Sequence, residues 1–199
     1  MRCQVSALLL AAGSSRRMGR TKQLLPVSER PAVTLCAAKL LEAGVTDVVV
    51  VTGTDHEGIL DALAGLPLRY ARNNNPGSDM AASVRAGLVA LDPSAVTGVL
   101  VCLSDHPLVA ADTIRALVRT HQEDKDTVLI PSCQGRRGHP SLFPFSVIQK
   151  IYSAASLRDI IRDASVKSLV LELEDEGVFL DMDTQEDYRR IIARADRRP

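Results

Sequence analysis

A short apolar segment that ends in a glycine turn constrains the fold of this chain more than any other feature. Residues 5–10 read VSALLL, and Gly13 follows shortly after. An apolar run of this length bounded by glycine is typical of a central parallel strand, which must be covered on both faces. We therefore predict a buried strand at 5–10 inside a layered α/β protein.

The turn after this strand has the composition of an anion-binding loop. Ala11 and Ala12 carry so little side chain that a planar base or a ribose can lie against the backbone, and Gly13 permits the positive φ of a sharp turn. Positive charge follows from Arg16, Arg17 and Lys22. Arginine forks and a lysine ammonium suit a polyphosphate, so we predict that the loop binds one. The alternative is a solvated loop whose charged side chains are exposed by default.

The spacing of the glycines excludes two common phosphate motifs. A Walker loop needs lysine directly after its second glycine, whereas here Gly19 is followed by Arg20 and lies one residue too far from Gly13. The dinucleotide fingerprint needs a second glycine at the position that Ser15 occupies. The predicted loop therefore belongs to neither motif.

The composition favours one globular domain and excludes several classes of partner. The 199 residues are 46% hydrophobic, which suits a single domain over 1–199. Lys plus Arg equals Asp plus Glu at 24 each, so no overall basic field attracts nucleic acid or an anionic membrane. Aromatic residues make up only 3% of the chain, which disfavours base stacking along a single strand.

Cysteine spacing and hydropathy bear on the compartment. The four cysteines include no C-x-x-C pair, so we expect reduced core thiols rather than a zinc site. No segment approaches the roughly 18 apolar residues of a membrane span, and the N-terminus lacks the pattern of a targeting signal. We therefore expect a cytoplasmic protein.

Strand and helix patterns alternate along most of the chain, which indicates βαβ units and a mostly parallel sheet. We predict strands at 5–10, 47–52, 68–71, 96–103, 127–131, 167–173 and 177–180. Helices are predicted at 32–43, 55–64, 80–91, 112–121 with Asp112 as its cap, 145–153, 156–163 and from about 184. Ligands of such sheets bind beyond the carboxyl ends of the strands, which directs attention to the loops there.

Acidic residues follow two of the predicted strands. Asp105 comes after the apolar run GVLVCLS, and Asp181 and Asp183 come after VFL. Mg²⁺ prefers one or two carboxylates, with phosphate oxygens and waters completing its shell. The sequence therefore allows a magnesium site, whereas the alternative is that these aspartates form turns or cap helices, Asp183 capping the last one.

Three segments resemble the MobA-like nucleotidyltransferase family, and most closely its molybdenum cofactor cytidylyltransferase branch. LAAGSSRRMGRTKQLLP at 10–26 is similar to the family's nucleotide-binding signature. SDHPLV at 104–109 and DMDTQEDY at 181–188 resemble its two metal-binding segments, with Gln185 in place of the usual proline. The resemblance implies a Rossmann-like three-layer α/β/α sandwich and a metal, Mg²⁺ with Mn²⁺ as an alternative, held by Asp105 and Asp183.

Two further segments extend the resemblance. NNNPGSDMAASVRAGL at 73–88 is similar to a family segment near the nucleotide base, although Asp79 replaces a glycine there. GRRGHP at 135–140 resembles an acceptor-binding element of the cytidylyltransferase branch. Taken alone, the segment 73–88 also fits an ordinary loop followed by a helix cap. The histidine of the segment 135–140, His139, also fits a structural side chain.

The resemblance implies transfer of CMP from CTP to the phosphate of molybdopterin, with pyrophosphate leaving. Its implied catalytic residues are Arg17, Lys22 and Asp105. The implied nucleotide-binding residues are Leu10, Ala11, Ala12, Gly13, Arg16, Lys22, Gly53, Asp79, Ser83 and Asp105. The implied substrate-binding residues are Arg136, Arg137 and His139. A molybdenum hydroxylase or its maturation factor would be a protein partner, and neither nucleic acid nor a membrane is expected.

Two other functions stay open at this point. One is a related transferase with another nucleotide or another phosphorylated acceptor. The other is a non-catalytic protein that binds the molybdenum cofactor and delivers it. The cytidylyl reading is preferred because LAAG resembles that branch, whereas the guanylyl branch usually reads LAGG.

Overall fold

Strand β1, Gln4–Ala11, lies at the centre of the sheet in this computed structural model, which describes residues 4–13, 21–75 and 79–196. It pairs in parallel with β4, Asp47–Thr52, on one side and with β6, Val96–Leu103, on the other. Every side chain of β1 after its first residue is buried. The predicted buried central strand is therefore confirmed.

The other strands extend this centre into one eight-stranded sheet in the order β10-β7-β9-β6-β1-β4-β5, with β8 paired to β7. Only β8 and β9 run antiparallel to their neighbours in it. A separate hairpin joins β2 to β3. The remaining strands are β2 (Pro26–Val27), β3 (Arg30–Pro31), β5 (Arg69–Arg72), β7 (Val128–Cys133), β8 (Arg136–Arg137), β9 (Ser141–Pro144) and β10 (Ser168–Glu172).

Helices cover both faces of the sheet and give the predicted three layers. Side chains of α1, α2 and α4 pack on one face, and those of α3, α5 and α6 pack on the other. The last helix, α7, packs in a smaller third cluster. The helices are α1 (Ala32–Glu42), α2 (His56–Ala62), α3 (Met80–Leu88), α4 (Ala111–Glu123), α5 (Phe145–Ile148), α6 (Leu157–Arg162) and α7 (Gln185–Ala195). Short 3₁₀ helices cover Lys22–Leu24, Gln149–Tyr152 and Glu176–Phe179.

Two expectations about composition can be compared with this fold. Cys36, Cys102 and Cys133 are buried free thiols, as expected, and Cys3 lies outside the described residues. Across 4–13, 21–75 and 79–196, no helix has the length and apolar character needed to cross a membrane.

Two predicted details near the C-terminal end of the sheet are wrong. Where a strand was predicted at 177–180, Glu176–Phe179 form a 3₁₀ turn instead, because the Asp175 carboxylate accepts the backbone N–H of Gly177 and caps the turn. The same carboxylate accepts the N–H of Ala110 and the hydroxyl of Thr113, so it also organises the start of α4. Helix α4 therefore begins after Ala110, and the predicted cap Asp112 lies in its first turn instead.

Strand β9 was not predicted. The strand follows Pro140 and ends at Pro144 in a segment whose glycines and prolines indicate a loop, and it is fully buried between β6 and β7. Partners that are distant in sequence, such as Leu100 opposite Leu142, decide this pairing.

Helix α3 crosses the sheet so closely that one of its positions has no room for a side chain. A Cβ atom added at Gly87 would lie 2.8 Å from Cγ2 of Val51 and 2.9 Å from a methyl of Leu8. Both of these neighbours are fully buried. Glycine at this position sets the distance between the helix and strands β1 and β4.

We expect the substitution Gly87→Ala to lower the free energy of unfolding. Helix propensity alone would raise it by about 1 kcal/mol, but overpacking a close-packed core costs about 1–3 kcal/mol. Urea denaturation monitored by circular dichroism measures the sign. Val89→Ala at the end of the same helix is the control, because Val89 is 78% exposed. A more stable Gly87→Ala protein would contradict the close approach of this helix.

Candidate active site

The candidate site lies at the carboxyl ends of β1 and β6, where the strand order changes direction. From β1 the chain builds β4 and β5 on one side, and β6 lies on the other. A crevice opens at such a switch point in parallel sheets. Here Ser104 holds the two strand ends together, because its backbone N–H and its hydroxyl both donate to the carbonyl oxygen of Leu10, at 3.2 and 2.7 Å.

The site is centred on an ammonium group between two carboxylates. Lys22 Nζ lies 2.5 Å from Oδ2 of Asp105 and 2.7 Å from Oδ1 of Asp183. The side chains of Lys22 and Asp105 are only 13% and 16% exposed, whereas that of Asp183 is 43% exposed. The structure thus brings together three predicted site residues that are far apart in the sequence.

Each residue of this cluster is positioned by the secondary structure next to it. Lys22 begins the 3₁₀ helix that follows the anion-binding loop, and Asp105 comes two residues after β6. Asp183 precedes Thr184, whose hydroxyl accepts the N–H of Asp187 in a capping box while the Asp187 carboxylate reaches back to the N–H of Thr184. Thr184, not Asp183, therefore caps α7, and the Asp183 carboxylate is available to Lys22.

The electrostatics favour the ionised forms of Lys22 and Asp105. Burial lowers the pKa of Lys22, but the Asp105 and Asp183 carboxylates outweigh burial and hold it above its ordinary value. Burial likewise raises the pKa of Asp105, but the hydrogen bond and charge of His106 and the charge of Lys22 hold it well below its ordinary value. Burial raises the pKa of the neighbouring Asp181, and the negative charges of Asp183 and Asp105 raise it further.

Two histidines lie behind Asp105. His106 Nδ1 donates to Oδ1 of Asp105 over 2.9 Å, so the two oxygens of this carboxylate have different partners. The His139 ring meets the His106 ring edge-on with centroids 5.5 Å apart. Burial and the charge of His106 lower the pKa of His139 to about 4. Both rings and the thiols of Cys36 and Cys102 line a cavity of about 20 Å³, enough for about one water.

The predicted nucleotide loop is described at its two ends. Ala11 is buried and Ala12 half-buried, and the backbone of Ala12 lies so near Gly53 that an added Cβ there would be 2.7 Å from its carbonyl oxygen. Gln23, only 2% exposed, donates from Nε2 to the Gly13 carbonyl oxygen over 3.1 Å. Residues 14–20, with the predicted Arg16 and Arg17, lie outside the described residues.

The predicted base-side residues lie at the start of α3. Asp79 is the N-cap of this helix, and its carboxylate accepts the N–H of Ala82 over 2.9 Å. Ser83 is buried one turn later, where its hydroxyl accepts a hydrogen bond from Nδ2 of Asn73 over 3.0 Å. The exposed carboxylate of Asp79 also lies 3.8 Å from Arg85. Whether either residue contacts a nucleotide stays a prediction.

The predicted acceptor-side residues are arranged differently from one another. Arg136 and Arg137 form the exposed strand β8, and the Arg136 guanidinium lies 3.9 Å from the centre of the Phe179 ring. His139 instead turns inward: its Nδ1 is buried and has no hydrogen-bond partner among the described residues. Of the three, the two arginines are exposed, whereas His139 is half-buried.

The donor set fits a hard divalent cation. Two carboxylates already converge on one positively charged atom, Lys22 Nζ, which shows that the position favours a cation. Within the described part of the chain, no three His, Cys, Asp or Glu side chains are grouped so as to hold a metal. A cation held by Asp105 and Asp183 would therefore need phosphate oxygens and waters as its other ligands, which is the preference of Mg²⁺.

Sequence reasoning missed three polar residues that shape the site. Gln23 bonds to the Gly13 carbonyl oxygen at the start of the predicted nucleotide loop, Asn73 positions Ser83, and Asp175 organises the 3₁₀ turn Glu176–Phe179. Their types are common in loops, and only their contacts reveal the role. The one available signal was Gln23, a polar residue next to the paired leucines of KQLLP.

Known proteins resemble the chain over nearly its whole length. It is 29% identical over 200 residues to nicotine blue oxidoreductase of Paenarthrobacter nicotinovorans, which covers 94% of this chain and 96% of that protein. It is 24% identical over 192 residues to a probable molybdenum cofactor guanylyltransferase of Bacillus mycoides, covering 92% of this chain and 93% of that protein.

Solved structures share the fold, and a family model identifies it. The homologue of Rv0371c from Mycobacterium sp. strain JC1 superposes with a TM-score of 0.85 at 25% identity, covering 99% of both chains. The manganese complex of Rv0371C from Mycobacterium tuberculosis H37Rv gives a TM-score of 0.75 at 24% identity, covering 96% of this chain and 98% of that one. The model of the MobA-like NTP transferase domain matches residues 7–174, so the chain belongs to the MobA-like NTP transferase family.

Proposed function

We propose that this protein is a cytidylyltransferase that moves CMP from CTP to the phosphate of molybdopterin, giving molybdopterin cytosine dinucleotide and pyrophosphate. The observation that carries the proposal is the convergence of Lys22, Asp105 and Asp183 at the switch point of the sheet. Membership of an NTP transferase family supports the reaction type. The resemblance of LAAG to the cytidylyl branch supports CTP, and the relative named as a molybdenum cofactor guanylyltransferase supports the acceptor.

The reaction asks the protein for alignment and charge rather than for proton transfer. A phosphate oxygen of the acceptor attacks the α-phosphorus of CTP, and the bond to pyrophosphate breaks. The acceptor oxygen is already anionic, so no general base is needed. Catalysis then consists of holding two anionic substrates in line and stabilising the negative charge of the transition state.

The residues of the cluster divide these tasks. Asp105 and Asp183 would hold Mg²⁺, or Mn²⁺ in its place, which supplies positive charge beside the reacting phosphates. Lys22 and Arg17 stabilise the charge that accumulates on pyrophosphate, as lysine and arginine do in other phosphoryl-transfer sites. The backbone around Leu10, Ala11, Ala12, Gly13 and Gly53, with Arg16, Asp79 and Ser83, forms the nucleotide side.

The acceptor binds on the side of β8. Arg136 and Arg137 are exposed there, and arginine recognises phosphate through paired N–H groups. His139 completes the predicted acceptor side at the edge of this strand. A molybdenum hydroxylase or its maturation factor would receive the product, and the site is expected to work in the cytoplasm.

A substrate matrix tests the reaction. Purified protein with Mg²⁺ is given CTP, GTP, ATP or UTP together with molybdopterin or with other phosphorylated acceptors, and the products are identified by mass. We expect the fastest pyrophosphate release with CTP and molybdopterin. A preference for another pair would favour a related transferase, and CTP binding without turnover would favour a carrier of the cofactor.

The substitution Lys22→Ala should lower the rate of CMP transfer by about a thousandfold. A charge contact in a partly dry site is worth about 4 kcal/mol, which corresponds to about a factor of 1000 in rate. The control is Lys167→Ala, because Lys167 is 70% exposed and pairs with Asp124 at the opposite edge of the sheet. An unchanged rate for Lys22→Ala would contradict the role of this lysine.

His106 acts as a positioning residue for Asp105 in this proposal. His106→Leu removes the N–H that Oδ1 of Asp105 accepts, so transfer should fall about 10–100-fold, with a higher half-saturating concentration of Mg²⁺. His106→Asn places a donor near the position of Nδ1 and should restore most of the activity. Equal rates for the leucine variant and the wild type would exclude a positioning role. Thermal unfolding of both variants checks that they are folded.

A further inference from the structure

We propose that Lys22 is the internal counter-ion of the metal-free site and leaves it when a divalent cation and a nucleotide bind. The lysine would then alternate between two anionic partners, the aspartates and the triphosphate. This inference deepens the proposed function, on which it rests only in taking Asp105 and Asp183 as the metal ligands.

The two oxygens of the Asp105 carboxylate have different partners. Oδ1 accepts from His106 Nδ1, and Oδ2 lies 2.5 Å from Lys22 Nζ. A cation that uses Oδ2 would stand next to this ammonium, and two positive charges at such a distance repel strongly in a partly dry site. Lys22 must therefore move away from Asp105 before that oxygen can serve a metal.

Lys22 also contacts the other predicted metal ligand, Asp183. Lys22 Nζ lies 2.7 Å from Oδ1 of Asp183, so one ammonium joins both predicted metal ligands. Without it the two carboxylates would repel each other, and the buried Asp105 would lose its contact with the ammonium. Lysine therefore stabilises the assembled pair of aspartates in advance and competes with a metal for the same oxygens.

The backbone of Lys22 lies close to the start of the proposed triphosphate loop. Gln23, the next residue, is buried and bonded to the carbonyl oxygen of Gly13, at the start of the proposed triphosphate loop. The backbone of Lys22 is thereby held beside that loop, while its four-carbon side chain rotates freely enough to change partners. A bound triphosphate would offer the displaced ammonium new anionic oxygens.

Competition of this kind makes metal and nucleotide binding cooperative. A metal alone must displace Lys22 without compensation, so its affinity for the free protein is low. A nucleotide removes this cost, and by thermodynamic linkage the metal strengthens nucleotide binding by the same factor. The lysine thus disfavours loading of the metal before the nucleotide arrives.

Titration with Mn²⁺ alone tests the proposal, with free Mn²⁺ measured by its paramagnetic resonance signal and no nucleotide present. The neutral variants Lys22→Met and Lys22→Gln should bind Mn²⁺ at least about tenfold more tightly than the wild type, within the usual range of coupling between sites. Lys22→Arg keeps the charge and should bind no more tightly than the wild type. Lys39→Met is the matched control, because Lys39 is 39% exposed and pairs with Glu42 on α1.

A double substitution assigns the effect to this site. Adding Asp183→Asn to Lys22→Met should abolish the gain in Mn²⁺ affinity. Lys22→Gln can still donate a hydrogen bond to the aspartates, so it preserves the test if the methionine variant does not fold. Equal or weaker Mn²⁺ binding by the neutral variants would overturn the counter-ion role.

The two proposals fail separately. Because Mn²⁺ is titrated without nucleotide, tighter binding by the neutral variants would stand even if CTP and molybdopterin proved not to be the substrates. Normal CMP transfer by a wild type whose Mn²⁺ affinity matches that of Lys22→Gln would instead overturn the counter-ion and leave the transferase in place.

Discussion

The parallel pairing of β1 between β4 and β6 is the constraint on which the rest of the structure depends. It aligns the carboxyl ends of three strands at one edge, with Leu10 opposite both Val51 and Leu103. Because β4 and β5 lie on one side of β1 and β6 lies on the other, a crevice opens there. Ala12 and Gly13, which follow β1, and Asp105, which follows β6, border that crevice for this reason.

Asp183, the third charged residue of the crevice, comes from the C-terminal part of the chain. Asp183 is brought there by the capping of α7 at Thr184 and by the packing of Met182, which is fully buried in the third cluster. Without this packing the carboxylate would have no fixed relation to Lys22. The ion cluster therefore depends on the hydrophobic packing around the start of α7, which places the Asp183 carboxylate within reach of Lys22.

A site built around an internal cation differs from one that simply awaits a metal. Two carboxylates near each other repel, and the energy of assembling them must come from somewhere in the fold. In this protein an ammonium supplies it before any ligand is present, and His106 supports the more buried carboxylate from behind. In the proposed metal site, these same contacts compete with the cation for the carboxylate oxygens.

Sequence reasoning reached the main elements of the fold and the centre of the site. The long apolar runs at β4 and β6 were predicted with their observed bounds, because buried parallel strands leave a strong local pattern. It failed at β9 and at the 3₁₀ turn of Glu176–Phe179, where the outcome depends on partners far along the chain. It also missed Gln23 and Asp175, whose roles come from contacts rather than from residue type.

The amino-acid sequence by itself determined the layered α/β architecture and the family, because hydrophobic period and a long motif are local properties of the chain. Only the tertiary structure decided that Lys22 lies between Asp105 and Asp183, that Thr184 rather than Asp183 caps α7, and that the Nδ1 atom of His139 faces inward. Distances between residues remote in sequence follow from how the layers pack, and no local pattern encodes them.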